Sequence, residues 1–309
     1  MNYTLISQNP KQFLSLTSLE LPEFEHLLEY FALNWEKYYR YHTLEGKRRK
    51  HPRSKEHGNA QLKGTRQKLF FLLIYLKTNS LQEHQAASFG VSQTKVSRIV
   101  NTLLPILNDS LKQMGYAPLR DGKALKEKLS THENKVFQYD GTDRSIQRNV
   151  DQEAQKVEFS GKHHGHKVKN LTLCDDTQYL YYLSPTESGS QHDKSMADEY
   201  PIELPQNSVL KQDLGFVGHQ PEGVEIEIPF KKPRNGELSF SQKLYNKLLS
   251  STRITVEHAN SGIKRLRIVK DVIRIHTTQI RDTVMVIACG LHNLRVKSPN
   301  RAYSTRTGI

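Results

Sequence analysis

Cysteine and long apolar runs are scarce in this sequence and acids are outnumbered by bases; each shortage narrows what the chain can be. Two cysteines, Cys174 and Cys289, in 309 residues exclude a disulfide framework and suit a reducing compartment. No apolar run approaches the roughly 20 residues that span a bilayer. The N-terminus also lacks the charged-then-apolar pattern of a secretory signal. The expectation is a soluble, cytoplasmic protein without a membrane partner, nucleoid-associated if it binds DNA. No internal repeat or low-complexity segment stands out.

Acids number 32 against 45 Lys and Arg, a formal net charge of +13. Such an excess attracts phosphate-bearing partners through long-range field and counterion release. The bases are concentrated in two regions. Residues 40–68 carry ten Lys or Arg against Glu45 and Glu56, and residues 262–309 carry ten against Asp271 and Asp282. A basic stretch taken alone is usually a solvated face. Here two of them bracket three well-spaced acids, which favours phosphate tracking.

The length suits two domains. The expected division is a helical DNA-binding region over 1–130 and a layered mixed-sheet domain, α+β or α/β, over 131–309. Phe24, Leu27, Leu28, Phe31 and Trp35 recur at helical spacing after Pro22, a residue suited to a first turn. Residues 47–67 read as an exposed basic loop, and Leu69–Leu76 as a buried helix. Ser80-Leu-Gln-Glu83 has the form of a capping box. Gly90 then permits a sharp turn, and Ser92 starts a second helix whose Val96, Ile99, Val100 and Leu103 share one face. This predicts a helix-turn-helix over about 80–104. Gln93 and Arg98 are placed to reach base edges, and Lys95 a phosphate.

Beyond a charged linker with a short helix, strand signals appear at 136–140, 156–159, 167–174, 179–183, 209–213 and 224–230. Helical spacing returns after Ser239-Phe-Ser-Gln242, a second capping box. Asp140 ends the first strand beside Gly141. Asp213 repeats that arrangement before Leu214-Gly215. Each acid alone is more often a turn residue; the repetition is what singles them out. Glu257 lies on an expected helix over 253–268, bordering a core stripe of Val256, Ala259, Ile263 and Leu266. Three such carboxylates have the hard oxygen ligands of Mg²⁺, with Mn²⁺ as substitute. They suit two ions about 3.5–4 Å apart working on phosphodiester. Lys264, Arg265 and Arg267 are expected against DNA backbone.

The same residues resemble the insertion-sequence transposases of the DDE superfamily, in the Harbinger-related branch. The matching pieces are Asp140-Gly-Thr-Asp-Arg-Ser-Ile-Gln-Arg148, Phe159-Ser-Gly-Lys162, His166-Lys-Val-Lys-Asn170 and Gly189-Ser-Gln-His-Asp-Lys194. They continue in order with Asp213-Leu-Gly-Phe-Val-Gly218, Pro229-Phe-Lys-Lys-Pro-Arg234, Arg253-Ile-Thr-Val-Glu-His258 and Lys264-Arg-Leu-Arg-Ile268. Together with the helix-turn-helix they span most of residues 65–295. The resemblance implies an RNase H-like catalytic domain with Asp140, Asp213 and Glu257 as the metal-binding triad. It also implies double-stranded DNA partners, both element ends and target, with Lys231 and Lys232 among the DNA contacts. Pairing two ends implies a homo-oligomer. Asn149 and Phe216 depart from the pattern, which has Pro and Tyr there, and neither removes a metal ligand.

Other candidates are weaker. His163, His164 and His166 suggest zinc, yet on a strand only His164 and His166 share a face, with no cysteine nearby. Asp193 rivals Asp213 as second ligand, and the strand-end setting of Asp213 is preferred. Asp175-Asp176 reads as a hairpin turn. Tyr179, Tyr181 and Tyr182 read as sheet packing.

Overall fold

The computed structural model describes residues 1–299 except 59, 133, 134 and 163. In chain order the helices are α1 (Tyr3–Ile6), α2 (Pro10–Thr17), α3 (Leu21–Tyr39), α4 (Thr65–Thr78), α5 (Gln82–Phe89), α6 (Gln93–Gln113), α7 (Ala124–Leu129), α8 (Gln152–Glu158), α9 (Asp193–Glu199), α10 (Phe240–Ile263), α11 (Arg267–Lys270) and α12 (Thr278–Val296). The strands are β1 (Val136–Ser145), β2 (Phe159–Ser160), β3 (Gly165–Cys174), β4 (Leu180–Leu183), β5 (Glu187–Ser188), β6 (Ser208–Lys211) and β7 (Val224–Glu227). The class is α+β. Among the described residues no helix is long and apolar enough to cross a membrane.

Packing divides the described chain into two compact units. One comprises residues 1–117 together with 264–271 and 279–298; the other comprises 118–263 and 272–278. Sequence order separates the chain near residue 130, whereas packing returns the last helices to the first unit. The reason is compositional. In α12 nearly every residue from Val284 to Arg295 is buried, and a helix apolar around most of its circumference must be enclosed. Asn293 donates to the Tyr116 carbonyl at 2.8 Å and Arg295 to Ser18 Oγ at 2.7 Å.

The helical unit follows the apolar spacing closely. Phe24, Leu27, Phe31 and Trp35 are buried along α3, and every residue from Leu69 to Leu76 is buried in α4. Leu28 is only half-buried. Gly90 ends α5 in the left-handed region at φ 65°, and Val96, Ile99, Val100 and Leu103 are buried on α6. The expected capping box at Ser80 does not form. Leu81 is the N-cap of α5 and provides no side-chain cap, while Ser80 Oγ donates to Gln85 Oε1. Ser92 likewise occupies the N-cap of α6 without a side-chain cap bond.

The sheet of the second unit runs β2-β3-β1-β6-β7, with β4 and β5 also on β3. β1 is antiparallel to β3 but parallel to β6, and β6 is parallel to β7. Asp140 does not end the first strand as expected: pairing with β3 carries β1 through it to Ser145. Two further expectations change here. Residues 156–159 are not a strand: Asp151 caps α8 by accepting from the Ala154 amide at 2.8 Å, and extended backbone starts only at Phe159. The strand expected over 209–213 stops at Lys211, so Asp213 stands in the following turn. The capping box at Ser239 forms in both directions, Gln242 N to Ser239 Oγ at 3.2 Å and Ser239 N to Gln242 Oε1 at 2.9 Å. It starts a helix much earlier than residue 253, one that ends at Ile263. Asp175 makes the expected turn, accepting from Thr177 N, Tyr179 N and Tyr181 Oη. Tyr179, Tyr181 and Tyr182 are buried.

Candidate active site

The site is built from β1, the turn after β6, and α10. β1 and β6 lie side by side in parallel, with Gln138 opposite Lys211. Asp140 and Asp213 are each two residues further on, where the pairing of the two strands has ended; β6 stops at Lys211, while β1 continues to Ser145 along β3. Strand alternation puts Gln138, Asp140 and Thr142 on one face, and α10 covers it. Gln138 joins the two elements, donating to the Thr252 carbonyl at 3.0 Å and accepting from Val256 N at 3.2 Å.

Arg253 and Asn260 of α10 then reach Asp140. The Arg253 guanidinium is 3.5 Å from Asp140 Oδ1 and 3.6 Å from Asp213 Oδ1. Asn260 Nδ2 donates to Asp140 Oδ2 at 3.0 Å. Asp213 caps the 3₁₀ turn Leu214–Phe216 by accepting from the Leu214 amide at 2.6 Å. The Asp140 carboxyl is pushed up to about 6, chiefly by burial; Arg253 opposes the shift, and Asp193 and Asp213 reinforce it.

Glu257 lies one helical turn beyond Arg253 and one before Asn260, so all three occupy about 60° of the helix circumference. Its side chain is exposed. Among the described residues no three Asp, Glu, His or Cys side chains are drawn together as a metal cage. The paired aspartates nonetheless suit a divalent ion: both are hard oxygen donors, and both already converge on one positive group.

The other acids and histidines are placed differently. Asp193, at the start of α9, is paired with Lys169 at 2.9 Å. His164 lies outside β3 with φ 47°, so it does not share a strand face with His166; His163 is outside the described residues.

Residues 139–293, half of the chain, match the family model described as DDE superfamily endonuclease. The chain belongs to that family. A second model, the helix-turn-helix of DDE superfamily endonuclease, matches residues 61–113, which contain the predicted motif. The chain is 30% identical over 192 residues to a probable transposase for insertion sequence element IS702 from Microchaete diplosiphon. That match covers 62% of this chain and 66% of the relative, just under two thirds of its length. No solved structure matches.

In this family member the residues expected to read DNA are distributed along the first turns of α6. Gln93 and Arg98 are exposed, and Lys95 is half-buried. Gln93 Nε2 donates to Gln82 Oε1 at 2.7 Å, and Lys95 Nζ to Gln61 Oε1 at 3.0 Å. Lys231 and Lys232 are exposed, the latter 3.8 Å from Glu237. Lys264, Arg265 and Arg267 belong to the helical unit. There they join Lys77, whose Nζ donates to the Arg265 carbonyl at 2.9 Å. Burial lowers the Lys77 pKa, and Arg295, Arg265, Lys270 and Arg267 lower it further, which marks a concentrated positive patch.

Sequence reasoning missed Arg253, Asn260, Lys169 and Lys77 as site residues. The i, i+4, i+7 spacing of Arg253, Glu257 and Asn260 was the available signal for the first two. Lys169 lies in the matching piece His166-Lys-Val-Lys-Asn170 but nothing local names its partner, and Lys77 carries no local signal, since both partners are distant in sequence.

Proposed function

We propose that this protein is a DNA transposase in which Asp140, Asp213 and Glu257 hold divalent metal, Mg²⁺ or Mn²⁺, against phosphodiester. The observation that carries the reading is the convergence of Asp140 and Asp213 on one cationic group, just past the point where the parallel pairing of β1 with β6 ends. A divalent ion held there supplies Lewis-acid stabilisation of phosphodiester charge and acidifies an attacking hydroxyl. Asn260 fixes the rotamer of Asp140 by donating to the oxygen that Arg253 does not face. Arg253 offsets part of the charge of the two aspartates and, as a guanidinium, is suited to a phosphate oxygen when DNA is present. Glu257, one helical turn beyond Arg253 on α10, is proposed as the third donor.

The helix-turn-helix binds the inverted repeats of the element, with Gln93 and Arg98 at base edges and Lys95 on phosphate. Lys264, Arg265 and Arg267 track backbone, as do Lys231 and Lys232. Water attacks the phosphodiester at each element end and breaks its P–O3′ bond, releasing a 3′-hydroxyl. That hydroxyl then attacks a target phosphodiester, forming a new P–O bond and releasing the target's own 3′-hydroxyl, in a homo-oligomer that pairs two ends.

The test is incubation of purified protein with end-containing DNA, target DNA and Mg²⁺. Joined products support the reading. Nicked ends without joining make the protein a nuclease without strand transfer, and binding without cleavage makes it a DNA-binding regulator.

A further inference from the structure

The segment Gly189-Ser-Gln-His-Asp-Lys194 has no role in the reading above, yet its Asp193 occupies a tightly fitted place. Along β1, Gly141 points to the face opposite Asp140 by strand alternation. Lys169 is on that same opposite face, because it pairs with Asp143, two residues from Gly141. There Lys169 Nζ donates to Asp193 Oδ1 at 2.9 Å and to the Gln191 carbonyl at 3.1 Å. A Cβ added at Gly141 would lie 2.6 Å from Asp193 Oδ1, and one added at Gly215 would lie 2.6 Å from Asp193 Oδ2. The two carboxylate oxygens thus rest against the glycines that follow Asp140 and Asp213.

The loop leading to Asp193 is seated with similar closeness. Gly189 N donates to the Lys167 carbonyl at 2.8 Å, and a Cβ at Gly189 would fall 2.6 Å from Lys167 Cβ. Three glycines, one in each approaching segment, therefore make room for one carboxylate and its loop.

We infer that Asp193 is a positioning residue, not a metal ligand: wedged behind the sheet and held by Lys169, it sets the separation of Asp140 and Asp213. This rests on the metal-site reading. One oxygen accepts from Lys169, and both lie so close to Gly141 and Gly215 that neither position has room for a Cβ, on the side of β1 away from Asp140. Its size and hydrogen bonding should therefore matter more than its charge.

The experiment is Mn²⁺ titration of the full chain, read by electron paramagnetic resonance and calorimetry, with thermal midpoints in chelator as a folding control. Asp193→Asn keeps the shape and the bond from Lys169, and should hold Mn²⁺ affinity within about threefold of wild type, whereas Asp193→Ala should lose about 10–100-fold. Loss in Asp193→Asn equal to that in Asp140→Asn would make Asp193 a ligand and overturn the inference. Wild-type affinity in Asp193→Ala would overturn it as well. If Asp193→Ala fails to fold, Gly215→Ala decides: it displaces an intact carboxylate, so weakened Mn²⁺ binding supports the wedge and unchanged binding rejects it. If wild type binds no Mn²⁺, or Asp140→Asn binds it as wild type does, the metal-site reading itself falls and the inference with it.

Discussion

Asp140 and Asp213 share one guanidinium: Arg253 stands 3.5 Å from the first and 3.6 Å from the second. The two acids are 73 positions apart in sequence, and the parallel pairing of β1 with β6 brings them level. Burial, reinforced by Asp193 and Asp213, makes Asp140 costly to ionise, and a nearby cation such as Arg253 opposes that cost, which is the property a metal-binding carboxylate needs.

Replacing Asp140 with Asn, Asp213 with Asn or Glu257 with Gln should abolish cleavage while binding to element ends survives. Loss of one metal-holding carboxylate removes several kcal/mol of transition-state stabilisation, a rate loss of about 10³-fold or more. Cleavage assays beside gel-shift titrations check this. Full cleavage in any one variant removes that residue from the triad.

Asp140 also predicts an unusual pH response of stability. Its folded pKa of about 6 lies above its ordinary value of 3.8, so the folded state binds more protons than the unfolded state between those values. Stability attached to this group is therefore present below pH 4 and lost as pH rises through 6, a cost of about 3 kcal/mol at neutral pH. In chelator, Asp140→Asn should raise the thermal midpoint at pH 7.5 and flatten the fall between pH 4 and 6. A lowered midpoint would mean that the ion pair with Arg253 outweighs burial.

Arg98 is exposed near the start of α6. Arg98→Ala should weaken binding to the inverted repeat by about 1–3 kcal/mol and relax discrimination at one base pair. Fluorescence anisotropy with matched and mutated repeats measures both. Unchanged affinity and specificity would reject the reader role.

The patch of Lys77, Arg265, Arg267 and Lys270 should behave differently. Replacing Arg265 or Lys77 with Ala should weaken all DNA sequences alike and reduce the slope of log affinity against log salt by about one per contact. A sequence-dependent loss with an unchanged slope would argue against phosphate contact.

Lys68 is buried at 2% exposure, with Glu56 as ion-pair partner and the Trp35 ring 5.0 Å from its ammonium. Removing the partner strands a buried charge, so Glu56→Ala should cost about 3–5 kcal/mol, and Lys68→Met, which leaves a partly exposed Glu56 still accepting from the Gly64 amide, should cost less. Urea unfolding of both variants tests the order.

Much of the helical unit is legible from spacing alone. The stripes on α3 and α6 and the apolar run of α4 are core because a helix repeats its face every three to four residues. Gly90 stops α5 for an equally local reason. The failures are local conflicts that packing resolved. Val157 and Phe159 suggest a strand, but the Asp151 cap commits the intervening residues to helix. Ser80 has the right neighbours for a capping box and finds Gln85 instead.

What residue order settles here is the kind of element each stretch forms, the basic character of the chain, and the acids worth watching, because these depend on neighbours within a turn or two. Convergence of those acids is a different matter. Which face Asp140 shares with Arg253 and Asn260, and which face Asp193 shares with Lys169, follows from strand pairing between distant segments. A shift of one residue in that register would exchange the two faces. The return of α12 to the first unit has the same origin, since an apolar helix is buried wherever the assembled chain leaves a matching surface.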